Sequence, residues 1–445
     1  MASHILHRTT DRDLPVAVRG DGLYIVAADG RRYLDASGGP AVSCLGHSDA
    51  AVAEAVADQA RRLAYAHTGF FTSEAAEELA LRLTAAAPGD LDYAYLVSGG
   101  SEANEAALKL ARQYFLEKGE SARHRFIARR QSYHGNTIGA LSVGGNMARR
   151  EPYRPILMDW SHVSPCYGYR GQEEGESDAA YGDRLAAELD AEIRRLGPES
   201  VAGFIAEPVV GASLGAAPAV PGYFRKVREV LDRHGVLLIL DEVMCGMGRC
   251  GSLYACEQED VVPDILTCAK GLGASYVSIG AMLLSRRIRD AIAAGSGAFQ
   301  HGHTYLGHPV AAAGALAVHR RLVDDGLVEG VAAKGALLER LLLERFGNHP
   351  HVGEIRGRGL FLGLELVRDR TTKAPFEPSV KLHQRIKRAA LERDMICYPG
   401  GGTIDGVRGD HVILAPPFIA GDADLSEIVG RLGEAVDAAI DGAGG

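Results

Sequence analysis

The sequence predicts an α/β protein with a mostly parallel central sheet flanked by helices, followed by a smaller α+β region. Strand and helix patterns alternate between about residues 90 and 290, which is typical of a parallel sheet. Within that stretch, the apolar run at 236–240 is predicted as a fully buried strand that ends at Asp241. A second apolar run, at 264–269, ends at Lys270. Because open α/β sheets bind ligands beyond the carboxyl ends of their strands, the acid and the amine are expected to face one site.

The chain before the central sheet is predicted to contain short strands and two helices. Residues 16–36 alternate like strands, and the Asp-Gly pairs between them are hairpin turn signals. Helices are predicted at about 49–63 and 74–86. A strand at 93–97 then begins the central sheet.

A glycine-rich turn follows the strand predicted at 93–97. It reads Ser-Gly-Gly-Ser-Glu from residue 98, and the next residues have the spacing of an amphipathic helix with Ser101 as the expected N-cap. Glycines let a ligand approach the backbone, and free N–H groups at the positive end of the helix dipole face that ligand. The turn therefore predicts an anion site, and a helix cap without a ligand is the alternative.

The rest of the chain completes the sheet and then changes character. Further strands are predicted at 126–128, 201–206 and 274–284, and helices at 180–196, 222–234 and 309–324. After residue 326 we expect a helix at 327–345, two strands within 356–367, a helix at 379–393 and a strand at 412–414. With 445 residues, the chain exceeds the ~250–300 at which single cores divide. We expect an N-terminal segment (1–60) that packs with the small domain, a large domain (61–325) and a small C-terminal α+β domain (326–445).

The composition is that of an ordinary globular protein, with 47% apolar and 24% charged residues. A formal charge of −9 argues against a nucleic-acid partner, since phosphate binding needs a basic face. Seven cysteines without a C-x-x-C pair indicate neither a disulfide framework nor a zinc knuckle. The first residues lack the apolar core of a signal peptide, and no run approaches the ~18 apolar residues of a membrane span. We therefore expect a cytoplasmic protein without a membrane partner.

Three short patterns resemble signatures of other protein classes but lack the context that those classes need. Residues 246–251 spell G-x-G-x-x-G, yet residues 241–245 separate them from the strand, and no acid ends the next strand. Residues 211–215 spell G-x-S-x-G, but prolines follow where a nucleophile turn requires a helix. Three histidines have no nearby carboxylate, so no metal site is expected. They are His301, His303 and His308.

The remaining constellation has the parts that pyridoxal phosphate needs: an anion turn, and an aromatic residue, an acid and a lysine that each follow a strand. A buried carboxylate keeps the ring nitrogen protonated, so that the cofactor acts as an electron sink. A lysine holds the aldehyde covalently and later carries a proton. Burial beside a cation would lower the pKa of that lysine from its usual ~10.4 towards neutrality.

The chain resembles the class III (ω-amino acid and amine) aminotransferases of fold type I, from about residue 15 to 435. The motifs that carry the resemblance stand in the order of that family: S-G-G-S-E-A-N-E-A-A-L-K-L-A-R (98–112), Y-H-G (133–135), A-E-P-V (206–209), L-I-L-D-E-V (238–243), A-K-G-L-G (269–273) and H-T-Y-L-G-H-P (303–309). The resemblance implies a fold type I transferase with pyridoxal 5'-phosphate as its cofactor.

The resemblance also implies roles for the residues around the cofactor ring. Lys270 is expected to form the internal aldimine and to move the proton between substrate and cofactor. Asp241 is expected to pair with the pyridinium nitrogen. Val243 is expected on one face of the ring and Tyr133 on the other, with His134 next to the cofactor.

Further implied roles concern the phosphate group and the partner subunit. Gly100 and Ser101 are expected to bind the phosphate through backbone and hydroxyl groups. Thr304 is expected to reach the phosphate of the neighbouring subunit, which implies an obligate homodimer, or a dimer of dimers, with shared active sites. Glu207 matches the acid of the family that gates substrate binding beside the cofactor.

Two stretches depart from the family pattern. Many relatives that clamp the carboxylate of α-amino acids carry I-R-x-x-P-P-L near the C-terminus, but the arginine position here is Ile413. Glu207 therefore lacks its usual arginine partner. Arg408, in a Gly-rich loop upstream, is the alternative cation for a substrate carboxylate, and a solvated surface side chain is the other interpretation. Residues 276–278 (Tyr-Val-Ser) stand where relatives often show Q-P or L-P.

We therefore predict a dimeric transaminase that moves an amino group from an amine, ω-amino acid or amino acid donor to a keto acid such as pyruvate, through a pyridoxamine phosphate form of the cofactor. An aminomutase or a decarboxylating aminotransferase would use the same residues. A nicotinamide oxidoreductase using the glycines of 246–251 and an inactive binding protein are the alternatives from other classes. The sequence does not identify the donor or the acceptor.

Overall fold

A seven-stranded sheet forms the centre of the protein in the computed structural model, which describes residues 4–10 and 13–442. Across the sheet its strands are Tyr93–Val97, Gly280–Leu284, Ile265–Cys268, Leu237–Asp241, Val201–Ala206, Arg125–Arg129 and Ser161–Val163. Gly280–Leu284 runs antiparallel to both of its neighbours, and the other strands are parallel to one another. The predicted α/β class with a mostly parallel sheet is confirmed.

Both faces of the central strand, Leu237–Asp241, are buried. Leu238 and Leu240 pack into one large apolar cluster, whereas Leu237 and Ile239 pack into a second cluster on the other face of the sheet. Successive side chains of a strand point to opposite faces, so a strand covered on both sides has to be apolar throughout. This arrangement explains the uninterrupted apolar run that the sequence shows before Asp241.

Helices cover the sheet and connect its strands. Their bounds are Gly38–Ala41, Ala50–Arg62, Glu74–Ala85, Gly100–Glu117, Ile138–Val143, Met147–Arg150, Gly168–Gly171, Asp178–Leu196, Tyr223–His234, Arg286–Ala294, Pro309–Val323, Val331–Phe346, Leu382–Glu392 and Asp422–Asp441. Short 3-10 helices lie at Glu151–Ile156, Pro198–Ser200, Ala255–Glu259, Lys270–Leu272 and Pro378–Val380. Within the described part of the chain, none of the helices is both long and apolar enough to cross a membrane.

Two details of the helices differ from the prediction. The helix expected at 327–345 begins only at Val331. Ser101 is not the N-cap of its helix, because Gly99 occupies that position and Ser101 lies within the first turn. The hydroxyl of Ser101 instead accepts a hydrogen bond from the backbone N–H of Asn136, at 3.1 Å.

Smaller sheets lie at the two ends of the chain. One consists of Ala17–Asp21, Tyr24–Ala27, Arg32–Asp35 and Met395–Ile396. Another consists of Val352–Arg358, Phe361–Leu366, Asp410–Leu414 and Tyr398–Gly401. A separate two-stranded ribbon of Val209–Val210 and Ala217–Pro218 contacts the strand Val352–Arg358 of this second sheet. Because residues near 35 and 395 share a sheet, the N-terminal segment contacts the C-terminal region. The domain bounds 1–60, 61–325 and 326–445 remain a prediction, and residues 1–3, 11–12 and 443–445 fall outside the described part.

The two glycine motifs that resemble other signatures serve packing. Gly215, in the G-x-S-x-G stretch, has a φ of +69°, and a Cβ there would lie 2.7 Å from Cγ of His411. Gly248, in the G-x-G-x-x-G stretch, has a φ of +87°, and a Cβ there would lie 2.6 Å from a methyl group of Val328. Both positions need glycine, because the backbone is left-handed there and a neighbouring side chain lies too close for a Cβ atom.

The buried central strand leads to a stability prediction. Leu238→Ala is expected to lower the free energy of unfolding by about 2–5 kcal/mol, because it leaves a cavity between the sheet and its helices. Urea denaturation followed by circular dichroism measures the loss. Leu343→Ala is the control, since Leu343 is 53% exposed and its change should stay within about 0.5 kcal/mol. Equal stability of the two variants would contradict burial on both faces.

Candidate active site

A cavity of about 390 Å³ lies beyond the carboxyl ends of the parallel strands of the central sheet. Five of those strands have a cavity-lining residue at their last position or within a few residues after it, and these residues are Ser98, Tyr133, Glu207, Asp241 and Lys270. The sheet thus brings together residues that are up to 172 positions apart in the chain, counting from Ser98 to Lys270.

A hydrogen-bond network holds the carboxylate of Asp241 in place. Oδ2 accepts hydrogen bonds from Nδ1 of His134 at 2.7 Å and from Nδ2 of Asn104 at 2.8 Å. Oδ1 accepts one from the backbone N–H of Val243 at 2.9 Å. Asn104 is itself held, because its Oδ1 accepts a hydrogen bond from the hydroxyl of Thr267 at 2.7 Å. Because Oδ1 of Asp241 has only one of these donors, it keeps a lone pair for a further donor.

Asn104 and Thr267 are site residues that the sequence interpretation missed. Asn104 is buried on the helix Gly100–Glu117, among Ala103, Ala106 and Ala107. A polar residue on an otherwise apolar helix face was the signal that could have identified it, because buried polar groups require partners. Thr267 lies within a buried strand and carried no comparable signal.

Lys270 follows its strand in an unusual backbone conformation, with a φ of +45°. A positive φ is uncommon for a residue with a side chain and is found most often at functional sites. Within the described residues its amine forms neither a hydrogen bond nor an ion pair. Burial lowers the pKa of Lys270, while the nearby carboxylates of Asp241 and Glu207 act in the opposite direction. A lowered pKa leaves more of the amine uncharged and able to act as a nucleophile.

The first turn of the helix Gly100–Glu117 borders the same cavity. Its leading backbone N–H groups have no partner within the helix, and Gly100 and Ser101 line the cavity. A Cβ on Gly100 would lie 2.6 Å from a methyl group of Val243, and a Cβ on Gly135 would lie 2.5 Å from the Ser101 hydroxyl. The glycines therefore let Val243 and the turn approach each other closely, next to a helix end suited to an anion.

Glu207 is engaged by the backbone around it. Its Oε1 accepts a hydrogen bond from the N–H of Tyr133 and its Oε2 one from the N–H of Gly211, each at 3.0 Å. Burial raises the pKa of Glu207, and His134 opposes this effect while Asp241 adds to it. The carboxylate thus fixes the loop that carries Tyr133, whose ring lines the cavity.

Two predicted site residues lie outside the cavity. Thr304 is exposed, and its backbone carbonyl accepts a hydrogen bond from the hydroxyl of Tyr65 at 3.0 Å. Arg408 is exposed and forms an ion pair with Asp405, with 2.7 Å between Nε and Oδ2. Neither residue lines the cavity of this subunit.

The position of the arginine clamp is part of an apolar wall. Ile413 is fully buried and packs with Met244 and Phe361 in a small cluster. Met244 also lines the cavity, so Ile413 lies behind an apolar side chain of the cavity surface and does not itself reach the cavity. A carboxylate would lose its hydration there without gaining a charged partner.

Two residues of the unusual stretch at 276–278 contact neighbouring helices or their ends. The hydroxyl of Tyr276 accepts a hydrogen bond from the backbone N–H of Asp49, the N-cap of the helix Ala50–Arg62. Val277 lies against Gly314, where a Cβ would come within 2.8 Å of a valine methyl group. Ser278 lines the cavity together with Tyr276 and Val277, and no contact among the described residues explains why a serine stands there.

The three histidines near residue 305 contact a lysine, one another and the start of a helix. Nδ1 of His301 lies 2.9 Å from Nζ of Lys109, and its ring centroid is 4.8 Å from that of His303. His308 caps the helix Pro309–Val323 by accepting a hydrogen bond from the N–H of Ala311 at 3.3 Å. In the described ranges, no group of three or more His, Cys, Asp or Glu side chains is placed to hold a metal ion.

The chain's own residues fit pyridoxal phosphate. An unpaired lysine amine, a carboxylate with a free lone pair and a glycine-lined helix end share one cavity at the carboxyl edge of the sheet. The fold and this site define a fold type I enzyme that depends on pyridoxal phosphate.

Comparison with known proteins identifies the family. The family model described as aminotransferase class-III matches residues 6–436, so the chain belongs to the class III aminotransferases and is a pyridoxal-phosphate-dependent aminotransferase. It is 45% identical over 439 residues to an uncharacterized aminotransferase of Schizosaccharomyces pombe, covering 98% of this chain and 96% of that protein.

Solved structures support the same assignment. An (S)-enantioselective ω-transaminase from Thermomicrobium roseum is 39% identical, with a TM-score of 0.90 and coverage of 99% of this chain and 96% of the other. The ω-transaminase of Pseudomonas jessenii in complex with PMP is 34% identical, with a TM-score of 0.91 and coverage of 97% and 94%. The predicted fold type I, family and cofactor are confirmed.

The network around Asp241 leads to a prediction about Asn104. Asn104→Ala removes a donor to the Asp241 carboxylate and leaves the Thr267 hydroxyl without its acceptor, so the catalytic rate is expected to fall about 10- to 100-fold. The variant should also change the pH at which the cofactor absorbance of the holoenzyme titrates. Thr267→Val should shift both quantities in the same direction by less. Unchanged absorbance titration in Asn104→Ala would contradict a positioning role.

Proposed function

We propose that the protein moves an amino group from an amine or ω-amino acid donor to a keto acid acceptor such as pyruvate. The observation that carries this proposal is that position 413 holds a buried isoleucine in an apolar cluster with Met244, and that Met244 and Val42 line the cavity. A donor whose reacting carbon bears a hydrocarbon group matches this apolar surface better than an α-amino acid that needs a cation there. The similar proteins from Thermomicrobium and Pseudomonas are described as ω-transaminases.

Each residue of the cavity has a proposed task in this reaction. Bound pyridoxal phosphate supplies an electron sink for the charge that remains when a proton leaves the substrate carbon. Asp241, held by Asn104 and His134, would hold the ring nitrogen and stabilise its proton. The amine of Lys270 holds the cofactor at rest, and it takes and returns the proton of the substrate carbon.

The other cavity residues bind and orient the cofactor. Val243 and Tyr133, which line the cavity, would enclose its ring and exclude water from the reacting atoms. Gly100 and Ser101 bind the phosphate with backbone N–H groups and a hydroxyl group. Glu207 keeps Tyr133 in position through the backbone N–H of that residue.

Lys270 provides the test of the proposed function. Lys270→Ala should remove the absorbance band of the bound cofactor and reduce turnover by at least about 10⁴-fold, since both the covalent link and the proton carrier are lost. The wild type is assayed with a panel of amines and ω-amino acids, with pyruvate and 2-oxoglutarate as alternative acceptors. Retained activity in Lys270→Ala, or a wild type that turns over α-amino acids only, would contradict the proposal.

We also propose that two copies of the chain form a homodimer with shared active sites. Supporting this, an aromatic face consisting of Tyr65, Phe70, Phe71 and Tyr305 is exposed, with Phe70 81% and Tyr305 60% accessible. Aromatic side chains that cluster on a surface mark interaction sites. Tyr65 also contacts the backbone of Thr304, so Thr304 lies next to this face and is available to a partner's phosphate site.

Subunit mixing tests the shared site. Thr304→Glu places a negative charge where the partner's phosphate group is expected, and Lys270→Ala disables the subunit's own site, so each homodimer should be inactive. Mixed dimers from co-expression should regain one intact site and up to about half of the activity per dimer. Sedimentation of a Phe70→Asp variant reports whether the aromatic face holds the dimer together. Absence of any regained activity would contradict shared sites.

A cytoplasmic location completes the proposal. All seven cysteines are free thiols in the interior of the protein. Reducing compartments such as the cytoplasm maintain cysteines in this form.

A further inference from the structure

An arginine that the sequence interpretation did not consider lies at the rim of the cavity. Arg149 belongs to the short helix Met147–Arg150, and its side chain is exposed. Its guanidinium carbon is 4.8 Å from the centroid of the Tyr133 ring, which itself lines the cavity. A cation therefore lies one aromatic ring away from the space where a substrate binds.

The charge of Arg149 is not balanced by the residues around it. Within the described ranges it forms no ion pair, and its backbone N–H alone is engaged, by Oδ1 of Asn146 at 3.2 Å. Arg408 differs, because Asp405 neutralises it. The loop of Arg408 nevertheless packs next to this helix, since a Cβ on Gly406 would lie 3.4 Å from the backbone nitrogen of Ala148.

Two cations act on the Tyr133 hydroxyl, against Tyr398 and Asp241, which act in the opposite direction. Burial raises the pKa of the Tyr133 hydroxyl, and Arg149 is the strongest of the neighbours that act in the opposite direction. Arg8 also acts to lower the pKa of that hydroxyl, so a second cation lies within electrostatic reach. An anionic group arriving at this rim would meet the exposed guanidinium group of Arg149, which pairs with none of the described carboxylates.

We propose that Arg149 binds the carboxylate of substrates in which several carbon atoms separate that carboxylate from the reacting amine. The inference rests on the proposed function and specifies its substrate class as ω-amino acids. The reacting nitrogen has to reach Lys270 inside the cavity, whereas Arg149 lies at the rim beyond Tyr133. A hydrocarbon chain along Val42 and Met244, which line the cavity, connects the two positions. The planar guanidinium donates two parallel hydrogen bonds to the carboxylate.

Matched donors separate recognition of the carboxylate from chemistry at the amine. The holoenzyme is mixed with 5-aminopentanoate or pentylamine without an acceptor, and the change in cofactor absorbance gives the rate constant and apparent affinity of the half-reaction. Arg149→Ala should lower kcat/KM for 5-aminopentanoate about 10- to 100-fold through weaker binding, and leave pentylamine within about threefold. Arg149→Lys should restore part of the loss, because it keeps the charge and loses the bidentate geometry.

Two further variants serve as controls. Arg225→Ala removes an exposed arginine from the helix Tyr223–His234, away from the cavity, and should change neither donor. Arg408→Ala tests the competing cation and should have little effect on the preference between the two donors. A selective loss of 5-aminopentanoate in Arg408→Ala, with none in Arg149→Ala, would overturn the inference in favour of Arg408.

Binding without reaction gives a readout that does not depend on turnover. Calorimetric titration of the wild-type holoenzyme with hexanoate should show a Kd that weakens with added salt and weakens about 10-fold or more in Arg149→Ala. Equal losses for 5-aminopentanoate and pentylamine would show that Arg149 only supports Tyr133, and would overturn the inference. A wild-type cofactor spectrum that responds to neither donor would refute the proposed function itself.

Discussion

The carboxylate of Asp241 is the group on which the rest of the site depends. It ends a strand that is buried on both faces, so its position is fixed by the packing of the whole sheet. Its two oxygens accept hydrogen bonds from His134, Asn104 and the backbone N–H of Val243. Each of these donors lies in a segment that is positioned by the sheet or by the helix Gly100–Glu117. A buried carboxylate is stable only with such partners, and those partners leave one lone pair free for the cofactor.

Lys270 lines the same cavity as this carboxylate but is positioned by its backbone conformation, not by hydrogen bonds of its side chain to the described residues. Lys270 lacks a partner among the described residues, and its backbone has a conformation that side chains rarely adopt. Burial, which lowers its pKa, and the two carboxylates of Asp241 and Glu207, which raise it, act on the same amine. In the proposed reaction, a covalent link to bound pyridoxal phosphate would engage the amine of Lys270, and a cationic ring would engage the carboxylate of Asp241.

The proposed substrate selection rests on a contrast between the interior of the cavity and its rim. In the interior, Ile413 belongs to a buried apolar cluster from which Met244 reaches the cavity, so position 413 supplies no cation for a carboxylate. At the rim, the guanidinium of Arg149 lies over the ring of Tyr133 and forms no ion pair with a residue that the structure describes. We infer that this outward position of the guanidinium charge favours substrates whose carboxylate and amine lie at opposite ends of a hydrocarbon chain.

The sequence by itself determined the fold class, the family, the cofactor and the strand-end positions of Asp241 and Lys270, because buried parallel strands and glycine turns leave local patterns. Local patterns misassigned Ser101 as an N-cap and did not reveal the partners of Asp241. Only the tertiary structure decided those partners, since Asn104 and Thr267 are separated by 163 residues and meet through the order of strands in the sheet. It also showed that Arg408 pairs with Asp405, whereas Arg149 forms no ion pair within the described ranges, because ion pairing depends on side-chain distances that the sequence pattern does not encode.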